Sequence, residues 1–264
     1  MERPFALSAV FTYADNGEFS KGQAAFDRRD YYAAIVLYTQ SIEIDPTFKS
    51  AYNSRGRAYL NTNNNSAAIA DFDKAIELDP NYAIAYNNRG IAYANLKRYK
   101  RAIEDYDQAI KIDPNYVAAY NNRGYAYVDM DMKTKAINDF NQAIRLDPNY
   151  TRAYRNRGYV YSRLNSFDRA ITDYNKAIEL DPNDAWSYNA RGYAYYKTKD
   201  HTKAIADFTK AIELDPNHQH AYDSRARSYR ELKDYDKASA DAQKACNLGD
   251  CDTYNYLKKA NLLR

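Results

Sequence analysis

Six Asp-Pro pairs stand at one constant interval: Asp45-Pro46, Asp79-Pro80, Asp113-Pro114, Asp147-Pro148, Asp181-Pro182 and Asp215-Pro216, each 34 residues from the next. A chain with such a period folds as a solenoid, because each unit buries its apolar face only by stacking on its neighbours. The product is a long surface rather than one enclosed cavity. Binding is therefore favoured over catalysis from the outset.

The unit Ala83 to Tyr116 shows the pattern, with Ala83 as position 1. Positions 3, 4, 7, 8, 10 and 11 share one face of a first helix at about 100° per residue. They are mostly Ala, Tyr and Gly, with one Arg. The second helix carries apolar residues at Ala102, Ile103, Tyr106, Ala109, Ile110 and Ile112. Gly90 and Ala102 are small where two backbones must approach closely. Pro114 cannot continue the second helix and ends it.

Tyr86, Gly90, Tyr93, Ala102, Tyr106, Ala109 and Pro114 fall at positions 4, 8, 11, 20, 24, 27 and 32. This arrangement resembles the tetratricopeptide repeat, a helix–turn–helix unit. The resemblance runs ungapped through seven units, residues 15–48, 49–82, 83–116, 117–150, 151–184, 185–218 and 219–252. It implies an all-α fold, an α-solenoid whose stacked hairpins form a right-handed superhelix. The end units are the least typical, as expected where one side must face water. Residues 253–264 read as a C-terminal capping helix with Tyr256, Leu257, Ala260 and Leu263 facing inward.

At 264 residues and net charge +3, the chain lacks the strong positive charge of a dedicated nucleic-acid binder. No apolar run approaches the length of a membrane span. The segment 1–14 has an apolar stretch from Phe5 to Ala14 without a basic leader in front of it. It is expected to pack on the first repeat rather than to be a cleaved signal, and a cytoplasmic location follows as an expectation. Cys246 and Cys251 are too few for a disulfide framework or a zinc site; they read as unpaired packing residues, with a local disulfide as the alternative. His218 and His220 read as solvated loop residues. No phosphate loop, nucleophile elbow or metalloprotease helix occurs, so neither an enzymatic activity nor a cofactor is expected.

Position 7 is Arg55, Arg89, Arg123, Arg157, Arg191 and Arg225 in successive units, and position 23 is Asp71, Asp105, Asp139, Asp173, Asp207 and Asp241. In a hairpin turning near position 15, facing positions sum to about 30. Positions 7 and 23 do so, which predicts an ion pair inside each repeat.

Positions 2, 5, 9, 12 and 13 of the first helix lie opposite the core face, the side that lines the inner groove in the family resembled. They bring forward Asn87, Asn121, Tyr125, Arg152, Arg155, Tyr159, Trp186, Asn189, Tyr193 and Tyr196. Among them is an aromatic run that the core does not require. Repeats five to seven are rich in basic residues on this side. Position 6 adds Asn88, Asn122 and Asn156. These resemble the asparagine ladder with which some family members hold a peptide backbone, since an amide donates and accepts at once; solvation of a helix edge accounts for them equally well. The family's carboxylate clamp for chaperone tails is incomplete here, with Arg152 alone in place around Asn122. The expectation is a scaffold that binds an extended, acidic segment of a partner protein. An RNA-binding solenoid and a self-assembling module are the alternatives.

Overall fold

The computed structural model describes residues 17–263; the segment 1–14 lies outside them. The described residues form fifteen α-helices and no strand. The first helices of the hairpins are α1 (Gly17–Asp27), α3 (Lys49–Asn61), α5 (Ala83–Asn95), α7 (Val117–Asp129), α9 (Thr151–Arg163), α11 (Ala185–Lys197) and α13 (Gln219–Glu231). The second helices are α2 (Tyr31–Ile44), α4 (Asn65–Leu78), α6 (Tyr99–Ile112), α8 (Lys133–Leu146), α10 (Phe167–Leu180), α12 (His201–Leu214) and α14 (Tyr235–Asn247), and α15 (Asp252–Lys259) closes the series. Contacts group into two units, one up to Ala126 and one from Tyr127.

Punctuation at both ends of each hairpin follows from local chemistry. The turn between its helices falls at position 15, as the pairing argument requires. There Arg29, Asn63, Lys97, Asp131, Asn165, Lys199 and Lys233 all have φ between 56° and 65°. That left-handed conformation costs a residue with a Cβ roughly 1–2 kcal/mol. Lys199→Gly should accordingly raise stability by about 0.5–1 kcal/mol, part of the relief being lost to the greater freedom of unfolded glycine; chemical denaturation measures it. At the other end the residue before proline is extended, as in Asp79 at φ −144° and Asp181 at φ −137°. Its carboxylate then accepts the N–H two residues on, from Asn81 to Asp79 and from Asn183 to Asp181. The Asp-Pro-Asn run is thus a helix stop with its own side-chain turn.

Small residues and one ring per hairpin make the core. Ala68, Ala102, Ala170 and Ala204 are fully buried at position 20, and Phe72, Tyr106, Tyr174 and Phe208 fill position 24. A Cβ added at Gly90 would lie 2.6 Å from the Tyr106 ring, and one at Gly158 would lie 2.8 Å from that of Tyr174. In the last repeat Ala226 replaces the glycine and Ala242 replaces the ring, so both partners change together and the contact is kept.

Arg55, Arg89, Arg157, Arg191 and Arg225 each make the expected pair and a further bond. In the second unit Arg157 Nε and Nη2 donate to the two carboxylate oxygens of Asp173 at 2.9 and 2.6 Å. Its Nη1 donates to Asn141 of the preceding repeat at 2.6 Å, and its guanidinium lies over the Tyr154 ring. Arg191 does the same with Asp207, Asn175 and Tyr188. In the first unit Arg55 and Arg89 pair with Asp71 and Asp105. Burial pushes the Asp71, Asp105 and Asp173 carboxyls above their usual range, against the opposing pull of their arginines. One side chain therefore ties a hairpin together and also fixes it on the hairpin before.

The C-terminus corrects two expectations. Cys246 and Cys251 are joined by a disulfide, their Cα atoms 4.0 Å apart. Gly249, at φ 108°, reverses the chain between them; a count of thiols carries no information about such a turn. The capping helix α15 ends at Lys259 and is rotated from the expected face. Leu257 and Thr253 are buried, whereas Tyr256 and Ala260 are exposed. Asp223 sets this rotation by accepting the Thr253 N–H at 3.1 Å. Leu262 and Leu263 then fold back onto the cluster around Ala226, Ala238 and Ala242.

Candidate functional site

In the first unit the asparagines of positions 5 and 6 form one chain of hydrogen bonds. Asn88 Nδ2 donates to Asn53 Oδ1 at 2.9 Å, and Asn87 Nδ2 donates to Asn88 Oδ1 at 3.3 Å. Asn122 Nδ2 donates to Asn87 Oδ1 at 2.9 Å, and Asn121 Nδ2 donates to Asn122 Oδ1 at 3.3 Å. Asn53, Asn87, Asn88 and Asn121 are buried, and Asn122 is half-buried. Position 5 therefore does not face open solvent here, nor does Asn88 at position 6. Asn88 and Asn122 each reach the preceding repeat, 35 residues back, and the stacking that permits this also covers them. Tyr125, on α7, is exposed.

In the second unit the same positions are occupied differently. Position 6 becomes Ala190 and then Ser224, and position 5 becomes Arg155 and then Asn189. An alanine cannot donate across the repeat boundary or fill the space of an amide. A pocket of about 530 Å³ opens there, lined by Tyr159, Ser162, Arg163, Tyr174, Trp186, Asn189, Ala190, Tyr193, His220 and Ser224 among others. Helices α9, α11 and α13 supply most of its wall. Trp186 is the centre of the aromatic set: its ring lies 5.9 Å from Tyr174, edge to face, and 6.4 Å from Tyr159. The Arg155 guanidinium covers it from another side at 5.2 Å. Burial raises the Tyr174 phenol above its usual range, so the hydroxyl stays protonated beside Ser162 Oγ at 3.3 Å.

An unpaired amide oxygen follows from the change at Ser224. Asn189 Oδ1 is buried and accepts no hydrogen bond. In the first unit the equivalent oxygens of Asn53 and Asn87 accept from the next repeat's asparagine; the next repeat here offers Ser224.

The structure thus brings together Tyr159, Trp186, Asn189 and Tyr193 of the residues the sequence proposes, with Arg155 against the far side of Trp186. Asn156 is half-buried on α9. Arg152 is exposed and stands outside the pocket lining. Tyr196 packs edge-on against His201, 5.4 Å between ring centres. Tyr174, which reads from its position as core alone, also forms a wall. Ala190 is the residue whose signal was available, as the break in the run of asparagines at position 6.

Charge on this side is smaller than the sequence implies. Arg155 lies 3.6 Å from Asp184, Arg227 binds Asp223, and Arg230 binds Glu231. His220 lies on α13 rather than in a loop, and its Nδ1 stands 3.1 Å from Asp250, which gives it a partner and a place in the pocket wall. Arg163 contacts Tyr159 Oη at 3.4 Å. Arg163 also lies in the field of the Asp131 carboxylate. No metal-ligating cluster and no helix long and apolar enough to cross a membrane occurs among those residues.

Hairpins stacked and bolted edge to edge in this way define an α-solenoid of helix–turn–helix repeats, the architecture of a protein-interaction scaffold. Family profiles described as tetratricopeptide repeat match residues 53–117, 117–150, 185–218 and 219–248, and one described as TPR repeat matches residues 163–199. The chain belongs to the tetratricopeptide repeat family. Among solved structures it is similar to YrrB, described as a TPR protein with an unusual peptide-binding site, at 26% identity and a TM-score of 0.54, over 70% of this chain and 95% of that one. It is similar to MamA at 28% identity and a TM-score of 0.55, over 64% of this chain and 92% of that one. PilF of Pseudomonas aeruginosa, at 20% identity and a TM-score of 0.72, shares the fold over 80% of this chain and 97% of its own. Among curated proteins no match is found.

Proposed function

We propose that this chain is a non-enzymatic scaffold that holds an extended, acidic segment of a partner protein along α9, α11 and α13, with the Trp186 pocket as its anchor. The observation that carries this reading is the pocket itself. Aromatic side chains stand partly exposed around a space where the repeat pattern elsewhere places packed amides. Trp186 and Tyr193 keep 38% and 42% of their surface open, which a purely packing role would not leave. Trp and Arg dominate binding energy at interfaces out of proportion to their number. The acidic preference rests on Arg152 and Lys197, which favour an anionic partner through encounter and register more than through raw affinity. A peptide-binding site in YrrB, a relative of the same fold, supports the reading in kind.

Acidic peptides selected from a random library should quench or shift the fluorescence of Trp186, the single tryptophan of the chain. Trp186→Ala should weaken their binding by about 2 kcal/mol, roughly thirtyfold, without loss of folding. Peptides that bind without touching the emission and equally well to the variant would remove the anchor. Tighter binding of single-stranded RNA than of any peptide would overturn the reading altogether.

A further inference from the structure

We infer that this chain forms a twofold dimer through the outer face of α2, two copies of that helix packing antiparallel. The hairpins supply their own comparison. Tyr32 and Val36, at positions 18 and 22 of the first repeat, keep 76% and 55% of their surface exposed. In the later hairpins position 18 is Ser66, Lys100, Thr134, Asp168, Thr202 and Asp236, and position 22 is Ala, Glu, Asn or Thr. An end hairpin lacks a neighbour on one side, and solubility calls for a polar outer face there. The first hairpin does the reverse. Large apolar side chains gathered in the open on one helix face mark a surface that a partner covers.

The placement of charge says which partner. Tyr32, Val36, Gln40 and Glu43 are exposed and fall within about 80° of arc at about 100° per residue. No charged residue occurs from Tyr31 to Ile42, so two copies meet there without repulsion. Arg29 stands exposed in the turn just before this stripe, and Glu43 stands exposed at its far end. Among the described residues neither makes an ion pair. Each is seven residues from Val36. Antiparallel packing about an axis through Val36 therefore sets Arg29 of one copy opposite Glu43 of the other, twice by symmetry, and Tyr32 opposite Gln40. A parallel pair would set like charges against each other at both ends. The face is self-complementary in one orientation only.

The stripe is short, about 21 Å for the 14 residues of α2. The contact falls at the small end of specific interfaces, so dimer and monomer should exchange at micromolar concentrations. A dimer presents the Trp186 pocket twice, whatever that pocket holds, and a partner with two binding segments gains by avidity.

Sedimentation equilibrium on the full chain measures the association, and thermal melts accompany every variant. The wild type should show a monomer–dimer equilibrium. Val36→Glu places two carboxylates at the axis and should raise the dissociation constant at least about a hundredfold. At concentrations where both proteins are monomeric it should melt with the wild type. Arg29→Glu and Glu43→Arg should each weaken the dimer about tenfold, through two like-charge contacts. Mixed in equal amounts, these two variants should pair with each other as tightly as the wild type pairs with itself, because both contacts then join opposite charges. A wild-type chain that stays monomeric up to about 1 mM overturns the inference. So does a dimer indifferent to Val36→Glu, or a pair of charge variants that does not recover on mixing. A lower melting temperature of the Val36→Glu monomer would show the face to be covered within the chain, and overturns it equally.

Discussion

Arg157→Met should destabilise the protein by about 3–5 kcal/mol, the usual cost of removing one partner from a buried ion pair. Asp173 keeps only 4% of its side-chain surface exposed, and the arginine supplies two of its hydrogen bonds. Without them a carboxylate remains in a site that already pushes its pKa upward by burial. A carboxyl whose folded pKa lies above its unfolded value loses stability as pH rises from the ordinary carboxylate range through the raised one. The deficit of the variant should thus shrink as pH falls towards the ordinary value of 3.8. Adding Asp173→Leu should restore most of the loss at neutral pH, since replacing both partners by apolar groups is often neutral. The double-mutant cycle is read by urea denaturation. Additive losses would show that the two residues act independently, and a deficit that grows in acid would reverse the sign argued here.

The arginine also shows how far a sequence with this period can be read. Its pairing with position 23 was legible, because a hairpin of known turn position dictates which residues face one another. Its bond to the preceding repeat was not, although position 25 holds Thr39, Asp73, Asp107, Asn141, Asn175 and Thr209, always a side chain that can accept. Periodicity within one hairpin fixes facing positions inside it, but the offset between hairpins depends on how closely their small residues allow them to approach. The same limit hid the candidate site. Exposure of positions 2 and 9 followed from helix geometry and holds for Trp186, Tyr193 and Tyr125. Burial of position 5 is a property of two adjacent repeats, and the pocket arises where that inter-repeat contact is interrupted at Ala190. The disulfide was hidden for a related reason, since it depends on the turn at Gly249 rather than on the spacing of the helices.

Asn88→Ala should cost about 2–4 kcal/mol, because it orphans two buried groups at about 1–3 kcal/mol each. Asn53 Oδ1 would lose its donor and Asn87 Nδ2 its acceptor. The sequence alone predicts the opposite: side chains lying outside the core could be removed with little change in melting temperature. Asn88 keeps only 8% of its surface exposed, however, and Asn87 and Asn53 keep 3% and 5%. The ladder is a line of polar bonds within the stack, and such a line is costly when only partly satisfied. Asn53→Leu combined with Asn88→Leu should recover part of the loss by removing donor and acceptor together, while leaving Asn87 unpaired at one end. Thermal melts of the single and double variants separate these cases. An Asn88→Ala protein that melts with the wild type would show that water or a neighbour satisfies both groups, and the amides would then be free to serve a bound peptide backbone instead of the fold.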